Sequence, residues 1–381
     1  MEDKNMFLRY DPAVDDISVL RDCISEGYDV NSWNIKTGST ILAKAICFNK
    51  LDVVNELFKS EKLDIRLGGC FGLTPLHIAC IHGCVEIAEV LLQKGINVDS
   101  MDTMDYTPLH YAIEHDRKEI VSVLVKHKCN VNFIYDDSDD INHDYRPLHI
   151  TARDNKLDIV KELLKSNTIE INCIGRCGYT PLHLAVLNDH VEMVQLLISG
   201  ENEAHPNFLD HKGFAPIHYA IEKNHIDIVQ KLIALTVVDV NFSTSRKNTL
   251  LHIACNQGNL DIVQILLEKN SKVNAIGEYG YSPLHYVAIN GCVNIVEELL
   301  KYKCDVSLKD KRENTPLHLA VINNNIDTIK CLVKNGADID ARNFDNKTPL
   351  EIAQICGQHA ISQLLFELEF LKKKMNEILK Y

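Results

Sequence analysis

Much is missing from this sequence, and each absence narrows what the chain can be. No stretch approaches the ~20 apolar residues that a membrane-spanning helix needs. The start, Met1-Glu-Asp-Lys-Asn-Met-Phe-Leu-Arg9, lacks the long apolar run of a secretory signal peptide. The expectation is an intracellular soluble protein, cytoplasmic or nuclear, without membrane insertion. The 13 cysteines are odd in number and include no C-x-x-C pair. A structural zinc site needs four clustered ligands, and Cys173 with Cys177 does not supply them. Small buried thiols in a reducing compartment are the simpler reading. There is no Gly-rich phosphate loop, no H-E-x-x-H and no G-x-S-x-G, so neither an enzyme nor a cofactor or metal is expected. Positive charge is in deficit, with 40 Lys and Arg against 53 Asp and Glu. A net charge of −13 argues against a nucleic-acid binder, which works by neutralising phosphates.

What is present is one stretch, written again and again. Its clearest copy is Asn314-Thr-Pro-Leu-His-Leu-Ala-Val-Ile-Asn-Asn324. Thr315 can accept a hydrogen bond from a free backbone N–H at a helix start. Pro316 suits the first helical position, where no N–H is needed. Leu317, Ala320 and Val321 give a short helix an apolar side. Asn324 can stop it, because Asn tolerates left-handed backbone. A second helix then places Ile329, Leu332 and Val333 on one face, and Gly336 ends it. Such a unit cannot bury its own apolar face, so it must stack on neighbours.

The anchor recurs at Thr40, Thr74, Thr107, Arg146, Thr180, Ala215, Thr249, Ser282, Thr315 and Thr348. The helix-stop position nine residues later holds Asn49, Gly83, Asp116, Asn155, Asp189, Asn224, Gly258, Gly291, Asn324 and Gly357. Only Gly, Asn and Asp occur there, the residues that best tolerate positive φ. A period near 33 residues with Thr-Pro-Leu-His-x-Ala resembles the ankyrin repeat. The resemblance implies an all-α solenoid of stacked helix-turn-helix units with protruding loop or hairpin fingers. The expected organisation is a degenerate capping repeat over residues 1–39, about ten repeats over 40–369 and a helical extension over 370–381.

The resemblance also implies a non-catalytic protein-binding module, an adaptor or inhibitory scaffold, whose partner sits on the concave finger and inner-helix face. No accompanying domain is recognisable, so a stand-alone binder is expected. A host-directed effector of a virus, symbiont or parasite fits the same residues. So does a structural protein that assembles through its tail, where Ile361, Leu364, Leu368, Leu371, Met375 and Ile378 form a short heptad seam within residues 361–379.

Four sets of residues are candidates for function. The residue before the anchor is Tyr106, Tyr145, Tyr179 and Phe214 in successive repeats, then Tyr281. In ankyrin proteins this position resembles a partner-facing one; packing on the adjacent finger is the competing reading. His82, His115 and Lys223, at inner-helix ends, are grouped with it. The loop carrying Asp136, Asp137, Asp139, Asp140 and Asp144 lacks the pattern of a calcium loop and reads as a solvated finger or a dock for a basic partner. The histidines His77, His110, His149, His183, His218, His252, His285 and His318 recur once per repeat, too far apart to share a metal, since neighbouring helices lie about 8–10 Å apart. By the resemblance they are struts that hydrogen-bond the neighbouring loop. Asn172 and Asn241, each two residues after an acidic one, resemble substrates of the asparaginyl hydroxylase that modifies ankyrin domains.

Overall fold

The computed structural model describes residues 4–134, 145–200 and 203–378. Among the described residues, a 3₁₀ turn at Met6–Leu8 precedes α-helix Ile17–Ser25, and ten pairs of α-helices follow. The first helices of the pairs are Ile41–Cys47, Pro75–His82, Pro108–Glu114, Pro147–Arg153, Pro181–Leu187, Pro216–Glu222, Leu250–Gln257, Pro283–Asn290, Pro316–Ile322 and Pro349–Ile355. Each opens one residue after the repeated anchor. Among the described residues the one sheet is a two-stranded hairpin pairing Trp33 with Thr40 and Asn34 with Ser39. The other described fingers are turns and short 3₁₀ segments.

The ten stop positions all have positive φ, from Asn49 at 51° to Gly83 and Gly291 at 77°. The left-handed residue turns the chain back so that the second helix packs antiparallel to the first. This is the local reason that only Gly, Asn and Asp serve there.

The chain divides into two compact units. One comprises Met1–Ala185 with Ser199–Ala204, and the other Val186–Ile198 with His205–Tyr381. In the first unit the core runs through Leu42, Leu76, Leu109 and Leu148, the Leu of the repeated anchor, against Val54, Ala88, Val121 and Val160 of the second helices. Met6 and Tyr10 are also fully buried there, and Lys44 holds Asp11 at 2.7 Å. The segment before the first helix thus covers the open end of the stack, as an end repeat facing water must. In the second unit Ile217, Leu251, Leu284 and Leu317 play the same part against Val229, Val263, Val296 and Ile329.

The last helix, His359–Ile378, is 20 residues long. Ile361 and Leu365 are buried beneath it, whereas Phe366 and Phe370 are 63% and 61% exposed. The start of the heptad seam is therefore spent on covering the last repeat. The side chains of Leu371, Met375 and Ile378 lie outside the described residues.

Candidate interaction face

Five of the repeated histidines tie their own repeat to the following finger. In the first unit, His77 Nδ1 accepts from Thr74 N at 3.0 Å, and its Nε2 meets the carbonyl of Tyr106 at 3.0 Å. His149 does the same with Arg146 N and the carbonyl of Tyr179. In the second unit His252 reaches the carbonyl of Tyr281, His285 that of Asn314 and His318 that of Lys347. An accepting Nδ1 and a donating Nε2 define one neutral tautomer. Burial favours the neutral form and pushes His110, His149 and His252 down to about 4. The ring half of the cap survives even where threonine is lost: at Ala215 the backbone N still donates to His218 Nδ1 at 3.0 Å. These rings serve the stack. Among the described residues no three His, Cys, Asp or Glu side chains gather as a metal site would require.

The turn within the finger is built in two ways. In one, a buried carboxylate closes it. Asp102 accepts from Met104 N and Tyr106 N with one oxygen and from the Tyr111 hydroxyl, 2.6 Å away, with the other. Asp210 repeats this with Lys212 N, Phe214 N and the Tyr219 hydroxyl. Asp310 uses Arg312 N, Asn314 N and the Asn314 amide. In the other design a glycine stands at that place, as Gly69, Gly175 and Gly277, and its N–H bonds a carbonyl four residues on. A Cβ on Gly175 would lie 2.6 Å from Tyr145 Cδ1, and one on Gly277 would lie 2.3 Å from Asn248 Oδ1. The chain there runs too close to the preceding finger for a side chain.

The aromatic residue before each anchor lies against the histidine of its own repeat. Ring centroids are 5.6 Å apart for Tyr106 and His110, 5.1 Å for Tyr145 and His149, and 5.8 Å for Tyr179 and His183. In the second unit they are 5.4 Å apart for Phe214 and His218 and 5.6 Å for Tyr281 and His285. Tyr106, Tyr179, Phe214 and Tyr281 remain half-buried. Tyr145, expected as a partner-facing ring, is only 7% exposed, with His149 stacked on it and Gly175 of the following finger close to both rings. His82, His115 and Lys223 are exposed at the ends of their helices. Phe214 borders a groove of about 600 Å³ that also touches Arg246, Asn256, Tyr279 and Tyr286. The acidic loop with Asp136, Asp137, Asp139, Asp140 and Asp144 lies outside the described residues.

A second ladder runs along the loops that lead into the fingers. Asn31 Oδ1 accepts from Asp64 N, Asp99 Oδ1 from Asn130 N and Asn132 Oδ1 from Glu170 N. In the second unit Asn241 Oδ1 accepts from Lys272 N at 2.8 Å and Asn274 Oδ1 from Asp305 N. Asn172 occupies the same register and, like Asn241, is half-buried.

Two residues after these bridges stands a row that sequence reasoning missed. In the first unit it is Trp33, Met101, Ile134 and Ile174, which are between 41% and 55% exposed. In the second unit Leu209 and Ile276 hold the same register, at 44% and 50%. The signal was available: aligning the repeats puts a large apolar residue six before the anchor at Met101, Ile174, Leu209 and Ile276, on a loop that needs none for its core.

Comparison with known proteins agrees with this architecture. A family model described as ankyrin repeats (3 copies) matches six overlapping segments from residue 13 to residue 376. The human transient receptor potential cation channel subfamily A member 1 is 29% identical over 142 residues, 37% of this chain and 12% of the channel. The mouse B-cell lymphoma 3 protein homolog is 32% identical over 145 residues, 36% of this chain and 32% of that protein. The chicken nuclear factor NF-kappa-B p105 subunit is 28% identical over 144 residues, covering 37% and 14%. The matched stretch thus spans a third or less of each of these relatives.

Proposed function

The chain belongs to the ankyrin-repeat family, and on that premise we propose that it is a non-catalytic binding array whose fingers and inner-helix ends grip a protein partner. The observation that carries this reading is the exposed apolar residue that recurs at one finger register, at Trp33, Met101, Ile134, Ile174, Leu209 and Ile276, with Gly68 and Ser243 interrupting it. A folded chain gains nothing by holding Trp33, Met101, Ile134 and Ile174 in water, and exposed apolar residues in register mark interaction surfaces. The side-chain bridges between loops and the buried histidine struts fix the backbone beneath them, so little order has to be imposed on binding. Tyr106, Tyr179, Phe214 and Tyr281 contribute their remaining exposed edges, with His82, His115 and Lys223 beside them. His77, His149, His252, His285 and His318 are engaged with the backbone of the following finger, which fits a structural role for these rings.

The test is affinity capture from lysate on immobilised full-length chain, followed by hydrogen exchange of the purified complex. Protection concentrated on the fingers around Met101, Ile174 and Leu209 supports the reading. Protection confined to the outward surface of the second helices contradicts it.

One observation favours a second reading, self-association through residues 361–379. Phe366 and Phe370 are both exposed and stand four residues apart on one side of the last helix. Light scattering on the full chain and on Phe366→Ser/Phe370→Ser separates the two readings. A mass that halves in the variant supports self-association, and a monomer in both removes it.

A further inference from the structure

We propose that the last three fingers of the second unit form a dock for an acidic protein segment that carries bulky apolar side chains. The inference rests on the protein-binding reading and gives it a partner chemistry. Fingers 277–281, 310–314 and 343–347 are tied tip to tip by backbone hydrogen bonds. Lys311 N donates to the Tyr279 carbonyl and Phe344 N to the Arg312 carbonyl, each at 2.9 Å. Asn343 Nδ2 adds a 2.9 Å bond to Asn314 Oδ1. Lys309 Nζ reaches across to the Arg342 carbonyl, also at 2.9 Å. The tips therefore move as one surface.

That surface is apolar at its centre and basic at its rim. A groove of about 370 Å³ runs between the tips and the inner helices, touching Arg312, Ile322, Asp345, Lys347 and Ile355. Ile322 and Ile355 are 45% and 69% exposed, and Phe344 on the adjoining tip is 73% exposed. The cations divide into two groups. Lys309 is paired with Glu313 and Arg342 with Glu351. Lys311, Arg312 and Lys347 make no ion pair within 4 Å among the described residues, and Asp345 is the one carboxylate lining the groove. The groove lining thus presents two unpaired positive charges, Arg312 and Lys347, against the one negative charge of Asp345, and Lys311 adds a third unpaired cation on the adjoining tip, within a chain that is strongly acidic as a whole. Such a local reversal of sign steers and orients a negatively charged partner. Apolar pockets beside it take the anchor side chains that supply most of the affinity. A peptide with two or more large apolar residues flanked by Asp or Glu satisfies both requirements. A polyphosphate backbone satisfies only the first and leaves Ile322, Ile355 and Phe344 unused.

The experiment is selection of random peptides displayed on phage against the full-length chain, with Arg312→Glu/Lys347→Glu and Ile355→Ser as parallel baits. All three positions are exposed, so melting temperatures of the baits verify that they fold. The inference expects wild-type selections to be enriched in acidic peptides bearing aromatic or aliphatic pairs. It expects a selected peptide to bind about tenfold or more weakly to each variant, and the charge variant to select basic peptides instead. Selections that are neutral or basic on wild type, peptides whose affinity both variants leave unchanged, or no enrichment would overturn it. So would binding of single-stranded poly-U RNA that survives Ile355→Ser. Peptides lost on Met101→Ser/Ile134→Ser/Ile174→Ser but retained on both dock variants would overturn this dock alone and leave the general protein-binding reading intact.

Discussion

The ring of Tyr145 lies on that of His149, with centroids 5.1 Å apart and planes 16° from parallel, and Gly175 of the following finger lies close to both rings. One side chain thus links its own repeat to the next. Tyr145→Ala removes a buried aromatic and is expected to cost about 3 kcal/mol. Gly175→Ala pushes a methyl into the same space and is expected to cost about 1–3 kcal/mol. Because both act on one contact, the double variant should be more stable than the sum of the single effects predicts, by about 0.5–3 kcal/mol. Urea denaturation of the four proteins measures this; strict additivity would mean that the ring and the glycine do not share the space.

The buried carboxylate of Asp102 gives a second expectation. Tyr111→Phe deletes the hydroxyl that donates to its Oδ2 and leaves that oxygen without its donor. Loss of a hydrogen bond to a charged group costs about 1.5–3 kcal/mol. Denaturation of the variant should register this in the transition of the first unit, while Tyr302→Phe, an exposed site, changes nothing measurable.

The histidines make stability depend on pH. Burial lowers His110, His149 and His252 from an ordinary value of 6.5 to about 4. Between those values the unfolded chain binds protons that the folded chain refuses. Stability is therefore complete above pH 6.5 and falls as pH drops toward 4, by about 1.4 kcal/mol per pH unit for each such histidine. Melting temperatures from pH 7.5 to 4.5 check this. His252→Gln, which loses its titrating ring, should be less stable at pH 7.5 and should show a shallower decline. A wild-type curve flat across that range would contradict the neutral-strut assignment.

The stop positions are testable one at a time. Asn324 has φ of 61°. Asn324→Val puts a β-branched residue where the left-handed backbone disfavours it and should cost about 1–2 kcal/mol. Asn324→Gly should be neutral or slightly stabilising, and calorimetry distinguishes the two.

How far the sequence could be read follows from where each feature gets its cause. The helix pairs and the stops at Asn49 through Gly357 depend on backbone preferences of single residues repeated at a fixed spacing, and these are visible in the letters. The direction of an aromatic ring is different. Tyr106 and Tyr145 occupy the same register, yet Tyr145 is buried, with Gly175 of the next finger close against it. That depends on the neighbour's design and not on the residue. The exposed row from Trp33 to Ile174 escaped for the opposite reason. An apolar residue in a loop reads as ordinary until the repeats are laid over one another and its burial is known.

If the fingers grip a partner, the exposed finger row contributes more to its affinity than the half-buried ring ladder does. The most direct measurement is the Kd of a captured partner for the wild type and for Met101→Ser/Ile134→Ser/Ile174→Ser, alongside both melting curves. The Kd of the variant should be weaker by about a hundredfold or more with melting temperatures that coincide. An unchanged Kd on a folded variant would contradict it and move the site off the finger row.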